Sequence, residues 1–420
     1  MGAGSRRTTG RTAEPDPARG PLSGVRVIDL TSVFLGPYCT QILGDMGADV
    51  VKVEPPTGDV VRRIGPARNE GMGPIHLSVN RNKRSLVLDL QTPDGREALL
   101  KLIATADVFV HSMRAQAIER LGLDYDAVRA VRDDIVYCGA YGFGQDGPYA
   151  RKPAYDDPVQ GATGIAALQG HAQGEPAYVT TVIADKTTGL AAAYSIAMAL
   201  YSRERNGEGQ MIEVPMFETM VSYVMVEQMY GLTFEPAIGS ATYPRSTSPF
   251  RRPYRTSDGY ICVLVYTDRH WDAFFRRAER PDLLEDERFR TIAGRTENID
   301  ELYSVLAELI EGRTTAEWLK LLDEADIPAL PLNSIEDLLE DPHLTARDFI
   351  RTVEHPTEGT IRTVGIPVKF SGTPGSIDRL APTLGQHSAE LLAEAGYSTE
   401  EIDGLAQTGV TRCSSGGQRE

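Results

Sequence analysis

The sequence predicts an α/β protein built on a parallel, doubly wound sheet, followed by a second and smaller unit. Three observations carry this. Short apolar runs alternate with helical stretches over the first half of the chain, which is what parallel strands joined by crossover helices produce. A polar, proline-containing and aperiodic stretch, Gly239–Arg252, then interrupts the pattern as a linker or mobile loop. Finally, 420 residues at 41% hydrophobic and 24% charged suffice for two or three packed domains.

In order, Val25–Leu30 reads as a strand, and Gly36-Pro37 starts a helix with Cys39, Ile42, Leu43 and Met46 at helical spacing, ended by Gly47. Val50–Val53, Ser85–Leu88, Val108–Val110 and Ile135–Gly139 are further strands, with helices at Pro93–Ala106 and Tyr125–Val131. Tyr155–Gly170, rich in Gly and Ala, reads as loop. A long helix then begins at Asp185, with strand Gln210–Val214 and helix Met216–Tyr230 after it. The second unit opens on a hairpin around Ser257-Asp-Gly259. It continues with helices at His270–Arg277 and Ile299–Glu311, one carrying Trp318 and Leu322, and a strand at Ile327–Leu332. Strand-like runs at Ile361–Val364 and Val368–Phe370 precede a last helix from Gly385 to about Ala395.

Composition excludes several classes. The net charge of -16 repels nucleic acid and anionic membrane surfaces, which both demand a positive field. No apolar run reaches the ~18 residues of a membrane span. Residues 1–20 lack the hydrophobic region of a secretory signal and read as a disordered extension, as does 411–420. Cys39, Cys138, Cys262 and Cys413 have neither paired spacing nor a zinc pattern, so free thiols in a reducing compartment are expected. The cytoplasm fits.

Gly142-Phe-Gly144-Gln-Asp-Gly147 matches the dinucleotide fingerprint, yet Pro148, Pro153 and Pro158 follow where that motif requires a helix. The seven histidines show no i, i+3 or i+4 pairing, so no metal site is expected, and no G-x-S-x-G elbow occurs. Asp185 then has two readings. It is a helix N-cap, accepting from the free N–H groups of the first turn, or it is a carboxylate nucleophile at a helix N-terminus. Local sequence does not separate them.

A wider set of segments bears on the choice. Leu22-Ser-Gly24-Val25, Asp29-Leu30, Gly36-Pro37, Leu43–Glu54, Gly58-Asp59, Asn82–Ser85, Leu88-Asp89, Tyr155-Asp156, Ile183–Gly189 and Gly207–Gln210 occur in order. So do Ser257–Gly259, Asp341-Pro342, Phe370–Gly372 and Leu384–His387. Together they resemble the family III CoA-transferases, the CaiB/BaiF type, across about Pro21 to Val410. The resemblance implies a Rossmann-like large domain (21–235 and 345–410) and a smaller α/β domain (250–338), in an interlocked homodimer. It implies CoA transfer from an acyl-CoA to a small carboxylic acid, through mixed-anhydride and aspartyl-CoA thioester intermediates, with no cofactor beyond the CoA thioester substrate.

By the same resemblance Asp185 is the catalytic residue. Leu88, Asp89, Gln91, Ser112, Met113, Arg114, Arg120, Lys152 and Tyr155 fall on CoA-binding positions, and the three cations suit phosphate groups. Phe34 and Pro55 stand where formyl-CoA transferases carry glutamine and arginine, and Thr247–Arg252 lacks their glycine-rich loop, which points to a larger or less polar acid. Arg251, Arg252 and Arg255 suit a second carboxylate, as in a dicarboxylate donor. Two alternatives stand beside transfer. Acyl-CoA racemases of the superfamily use a His-Asp pair where this chain has Tyr155-Asp156, and tyrosine, with a pKa near about 10, is a poor base at neutral pH. A noncatalytic CoA-binding module would have no need of Asp185.

Overall fold

The computed structural model describes residues 20–413. Of the expected disordered ends, 1–20 and 411–420, residues 1–19 and 414–420 lie outside them, while Gly20 is buried and the buried Thr411 hydroxyl donates to the Val87 carbonyl at 2.7 Å. Two compact units divide the chain. Among the described residues, the larger takes 20–159, Val182–Met220 and 345–413; the smaller takes Gln160–Thr181 and Val221–Leu344.

In the larger unit the alternation becomes six strands: β1 (Arg26–Leu30), β2 (Asp49–Glu54), β3 (Lys83–Val87), β4 (Val108–His111), β5 (Val136–Tyr141) and β6 (Gln210–Pro215). They lie in the order β3-β2-β1-β4-β5-β6, and every pairing is parallel. Helix α1 (Leu35–Asp45) leaves β1, α2 (Pro74–Val79) precedes β3 and α3 (Pro93–Ile103) leaves it. Helices α4 (Ala115–Arg120) and α5 (Tyr125–Val131) link β4 to β5. Between β5 and β6 the chain passes through α6 (Asp156–Ala162), α7 (Ile165–Gln173, in the smaller unit) and α8 (Ile183–Asn206); α9 (Met216–Gln228) leaves β6 and ends in the smaller unit.

Successive strand side chains go to opposite faces, and both faces are dry. Val27, Val50, Val108 and Val136 pack with Cys39 and Leu43 of α1 and with Ala192 and Ile196 of α8. Ile28, Val51, Phe109 and Tyr137 pack instead with Leu99 and Leu102 of α3, Val128 of α5, and Leu391, Ile402 and Leu405 from the end of the chain. Each enclosed Leu or Ile contributes about 1.5–3 kcal/mol. Burial on both faces explains why the central strands β1, β4 and β5 read as largely apolar runs.

The smaller unit holds the antiparallel strands β7 (Tyr254–Arg255), β8 (Tyr260–Val263) and β9 (Ala329–Pro331). Trp271, Phe274, Leu306 and Trp318 fill its core, and the Trp318 indole N–H donates to the Ile310 carbonyl at 2.8 Å. In the larger unit β10 (Ile350–His355) and β11 (Gly359–Val364) form a hairpin.

Three readings of the sequence are corrected. Tyr155–Gly170 is not loop: it holds α6 and the start of α7, hinged at Gly164 with φ +85°. Pro158 sits in the first turn of α6, where a missing N–H costs nothing. The long helix begins at Ile183, two residues before Asp185, with Val182 at the cap position and no side-chain cap. Val368–Phe370 forms no strand.

Candidate active site

In a parallel sheet the loops after each strand gather along one edge, and ligands settle where the strand order reverses. Here the reversal lies between β1 and β4. The loops after them are tied together, since the Ser32 N–H donates to Ser112 Oγ at 3.1 Å. Behind Ser112, His111 is fully enclosed. Its Nδ1 accepts from the Met113 N–H at 3.2 Å, so Nε2 carries the proton toward the Tyr137 hydroxyl at 2.9 Å. Burial pushes His111 down to about 4, so the ring is neutral and holds the Ser112–Met113 turn without adding charge.

The N-termini of α1 and α8 come to the same edge, because crossover helices run antiparallel to the strands they join. The two helices touch closely: a Cβ on Gly189 would come within 2.7 Å of the Leu35 carbonyl oxygen. Asp185, four residues before Gly189, therefore lies on the face of α8 that meets the β1–α1 turn.

The N-cap reading of Asp185 fails on this geometry. Asp185 is the third helical residue and does not accept from its own first turn. Instead its backbone N–H donates to Asp156 Oδ2 at 3.0 Å, so the carboxylate that satisfies the head of α8 comes from α6. Asp156 is buried and Asp185 half-buried. Desolvation, reinforced by the neighbouring Asp156 charge, pushes the Asp185 carboxyl up to about 7. A carboxylate poorly solvated in its own resting state is a better nucleophile than one in water. Because only the ionised form attacks, kcat/KM should rise with pH through about 7 and level off above it. A pH–rate profile flat from 5 to 8 would contradict this.

The CoA-binding candidates spread along the same strand-end edge. Ser112, Met113 and Arg114 follow β4, and Arg114 and Arg120 are exposed. Asp89 and Gln91 follow β3, joined by the Gln91 N–H to Asp89 Oδ1 at 3.0 Å. The Leu88 side chain is enclosed in the core instead, at 1% exposure, and does not face outward. Lys152 and Tyr155 are exposed in the segment after β5, and the Lys152 ammonium stands 3.7 Å from the centre of the Tyr149 ring. The Gly142–Gly147 loop is closed to a pyrophosphate. Its Gly144 N–H is taken by Glu218 Oε1 at 3.0 Å and its Gln145 N–H by Glu213 Oε1 at 2.8 Å, and turns rather than a helix follow.

Beneath the β1–α1 turn lies a charged network that the sequence reading did not single out. Lys83 and Lys52 are fully enclosed. Lys83 Nζ reaches Asp29 Oδ2 at 3.1 Å, the Pro37 carbonyl at 2.9 Å and Asn80 Oδ1 at 3.0 Å. Lys52 Nζ reaches Asp59 Oδ2 at 3.1 Å and the Thr31 carbonyl at 3.2 Å. The two lysines and the Thr31 and Thr40 hydroxyls outweigh burial and hold Asp29 below the usual carboxylate range. A visible signal was the lysine inside the apolar run Val50-Val-Lys-Val53, since a charge buried in a strand must be paired.

The site is thus a doubly wound sheet in Rossmann order, with a half-buried aspartate at its strand-end edge and, among the described residues, a Gly142–Gly147 loop whose Gly144 and Gln145 N–H groups are already taken. Residues 22–388 match the family model for CoA-transferase family III. A succinyl-CoA:mesaconate CoA-transferase from Haloarcula hispanica is 36% identical over 90% of this chain and 98% of its own. The human succinyl-CoA:glutarate CoA-transferase is 31% identical over 93% and 90%. A solved CaiB/BaiF family protein from Brucella suis superposes with a TM-score of 0.76, at 32% identity, covering 90% of this chain and 100% of that one. The chain belongs to CoA-transferase family III and, by that membership, is a CoA-transferase.

Proposed function

We propose that this enzyme moves CoA between dicarboxylic acids with Asp185 as its covalent carrier. The observation that carries the reading is the half-buried Asp185 carboxyl, raised to about 7 at the head of α8. An Asp185 oxygen attacks the acyl carbon of the thioester, the C–S bond breaks, and CoA leaves as thiolate from a mixed anhydride. The thiolate returns to the Asp185 carbonyl, giving aspartyl-CoA thioester and the free donor acid. The acceptor carboxylate and CoA then repeat both steps in reverse. Each bond made replaces one broken, so no redox group or metal is required, but water must be kept from the anhydride.

Similarity to transferases named for succinyl-CoA with mesaconate or glutarate supports the substrate class, and exposed Arg251, Arg252 and Arg255 supply suitable cations. Arg114, Arg120 and Lys152 are the proposed phosphate partners. An interlocked homodimer is supported by α8 itself. Leu190, Tyr194, Met198 and Tyr201 form one apolar stripe along it, each about half exposed or more, and such a face calls for a partner. Light scattering should give twice the chain mass. No helix among the described residues is long and apolar enough to cross a membrane, and the free cysteines suit the cytoplasm.

Succinyl-CoA mixed with glutarate or mesaconate should yield the new thioester and free succinate. Deuterium uptake at carbon 2 without exchange would instead mean racemase chemistry, and neither outcome would mean a binding module.

A further inference from the structure

The turn between β1 and α1 contains a residue in a costly conformation. Val33 has φ +67°, a left-handed geometry that crowds a β-branched side chain and is costly. Such strain persists only where the surroundings impose it. Here the Val33 N–H points at the Asp59 carboxylate, 3.3 Å from Oδ1 and 3.2 Å from Oδ2. Asp59 is buried and is itself pinned: Lys52 Nζ lies 3.1 Å from Oδ2, and the Asp59 N–H donates to Glu54 Oε1 at 3.0 Å. The same Lys52 holds the Thr31 carbonyl, two residues before Val33, and Ser112 holds the Ser32 N–H from β4. Three consecutive residues of the turn are thus fixed by three side chains: Lys52 within β2, Asp59 just after it, and Ser112 just after β4. The next residues, Phe34 and Leu35, lead into α1, and the Leu35 carbonyl is the group that Gly189 lets α8 approach.

We propose that Asp59 is a positioning residue for CoA transfer: its lysine-anchored carboxylate holds Val33 in the strained conformation that sets the Ser32–Leu35 turn against the Asp185 face of α8. The proposal rests on Asp185 being the nucleophile. Asp59 touches no reacting atom in this role. It fixes the wall against which the thioester must lie, and a displacement of about 1 Å there is enough to cost about 10²-fold in rate.

Asp59 also caps the short 3-10 turn Val60–Arg63 through the Val61 N–H at 3.3 Å, and that structural role has to be separated from positioning. Asp59→Asn does so, because asparagine is an equally good cap. Lys52 is not stranded by the change, since Asp29 and Glu54 still act on it. The Asn variant should keep its far-UV spectrum and oligomeric state. Its single-turnover rate of acyl-enzyme formation from succinyl-CoA should fall by about 10- to 100-fold, more than its KM for succinyl-CoA changes.

The second arm is rescue. Glycine adopts φ +67° without strain, so in a Val33→Gly background the turn no longer depends on Asp59. The cost of Asp59→Asn, measured against Val33→Gly alone, should shrink to within about threefold, a coupling read directly from the double-mutant cycle. An equal rate loss in both backgrounds would overturn the proposal, as would an Asn variant that folds and reacts like wild type. If Asp59→Asn alone does not fold, the double variant decides: soluble and active supports positioning, unfolded or folded but slow refutes it. Asp185→Asn run in parallel keeps the two claims apart. Normal transfer in that variant removes the nucleophile, whereas a dead Asp185→Asn beside an unaffected Asp59→Asn removes only the positioning role.

Discussion

Replacing Asp185 by Asn should abolish CoA exchange, lowering kcat by at least about 10³-fold, while leaving the fold intact. Asparagine has the size and shape of the aspartate but its amide cannot form the anhydride. Nothing in α8 is lost, because Asp185 does not cap the helix; its backbone N–H, which meets Asp156, is unchanged. The substitution should even stabilise the protein at alkaline pH. The folded-state pKa is raised to about 7 above the ordinary aspartate value, so the folded chain binds its proton more tightly than the unfolded one. Between about pH 4 and 7, wild type therefore loses stability as pH rises, and the neutral Asn variant does not. Thermal melts should coincide near pH 4 and separate by pH 8, with the variant higher. Coincident melts at pH 8 would show that Asp185 is not desolvated as its surroundings imply.

The second large effect concerns Lys83. Replacing it by Met removes the ammonium from a fully enclosed site, leaving Asp29 with Lys52 and two hydroxyls and freeing the Pro37 carbonyl that Lys83 binds at 2.9 Å. Breaking one side of a buried pair costs about 3–5 kcal/mol, and the first urea transition should move to lower concentration accordingly. Adding Asp29→Asn should recover part of the loss, because a neutral pair leaves no stranded charge. If Lys83→Met unfolds like wild type, the network is not what holds the head of α1.

What was legible in the sequence follows from which forces act locally. β1, β4 and β5 were readable because strands buried on both faces are largely apolar, as in Val108–Val110, whereas β6 read as a strand although most of it is exposed. Helix α6 was not readable, because its seven residues carry too few apolar positions to show a helical period and Pro158 looks like a breaker until its first-turn position is known. The helix Thr399–Gln407 was missed although Ser398 and Glu401 form a capping box, a signal present in the sequence itself. Asp185 was read as either the N-cap or a nucleophile, and the cap reading failed because the acceptor at the head of α8, Asp156, is 29 residues away in the chain and comes close only through the fold. Residues Leu190, Tyr194, Met198 and Tyr201 marked α8 as helical, yet the side packed on the sheet is the alanine-rich one, with Ile196 and Leu200. A hydrophobic stripe tells that a face is covered, not by what.

The central claim is that CoA transfer passes through a covalent bond to Asp185. The most direct measurement is mass spectrometry of wild-type protein incubated with succinyl-CoA, without acceptor, quenched with hydroxylamine and digested. The account predicts a hydroxamate on the peptide that contains Asp185, absent from the Asn variant and from protein never exposed to the thioester. A hydroxamate mapped to another carboxylate, or full exchange activity with no modified peptide at all, would contradict it.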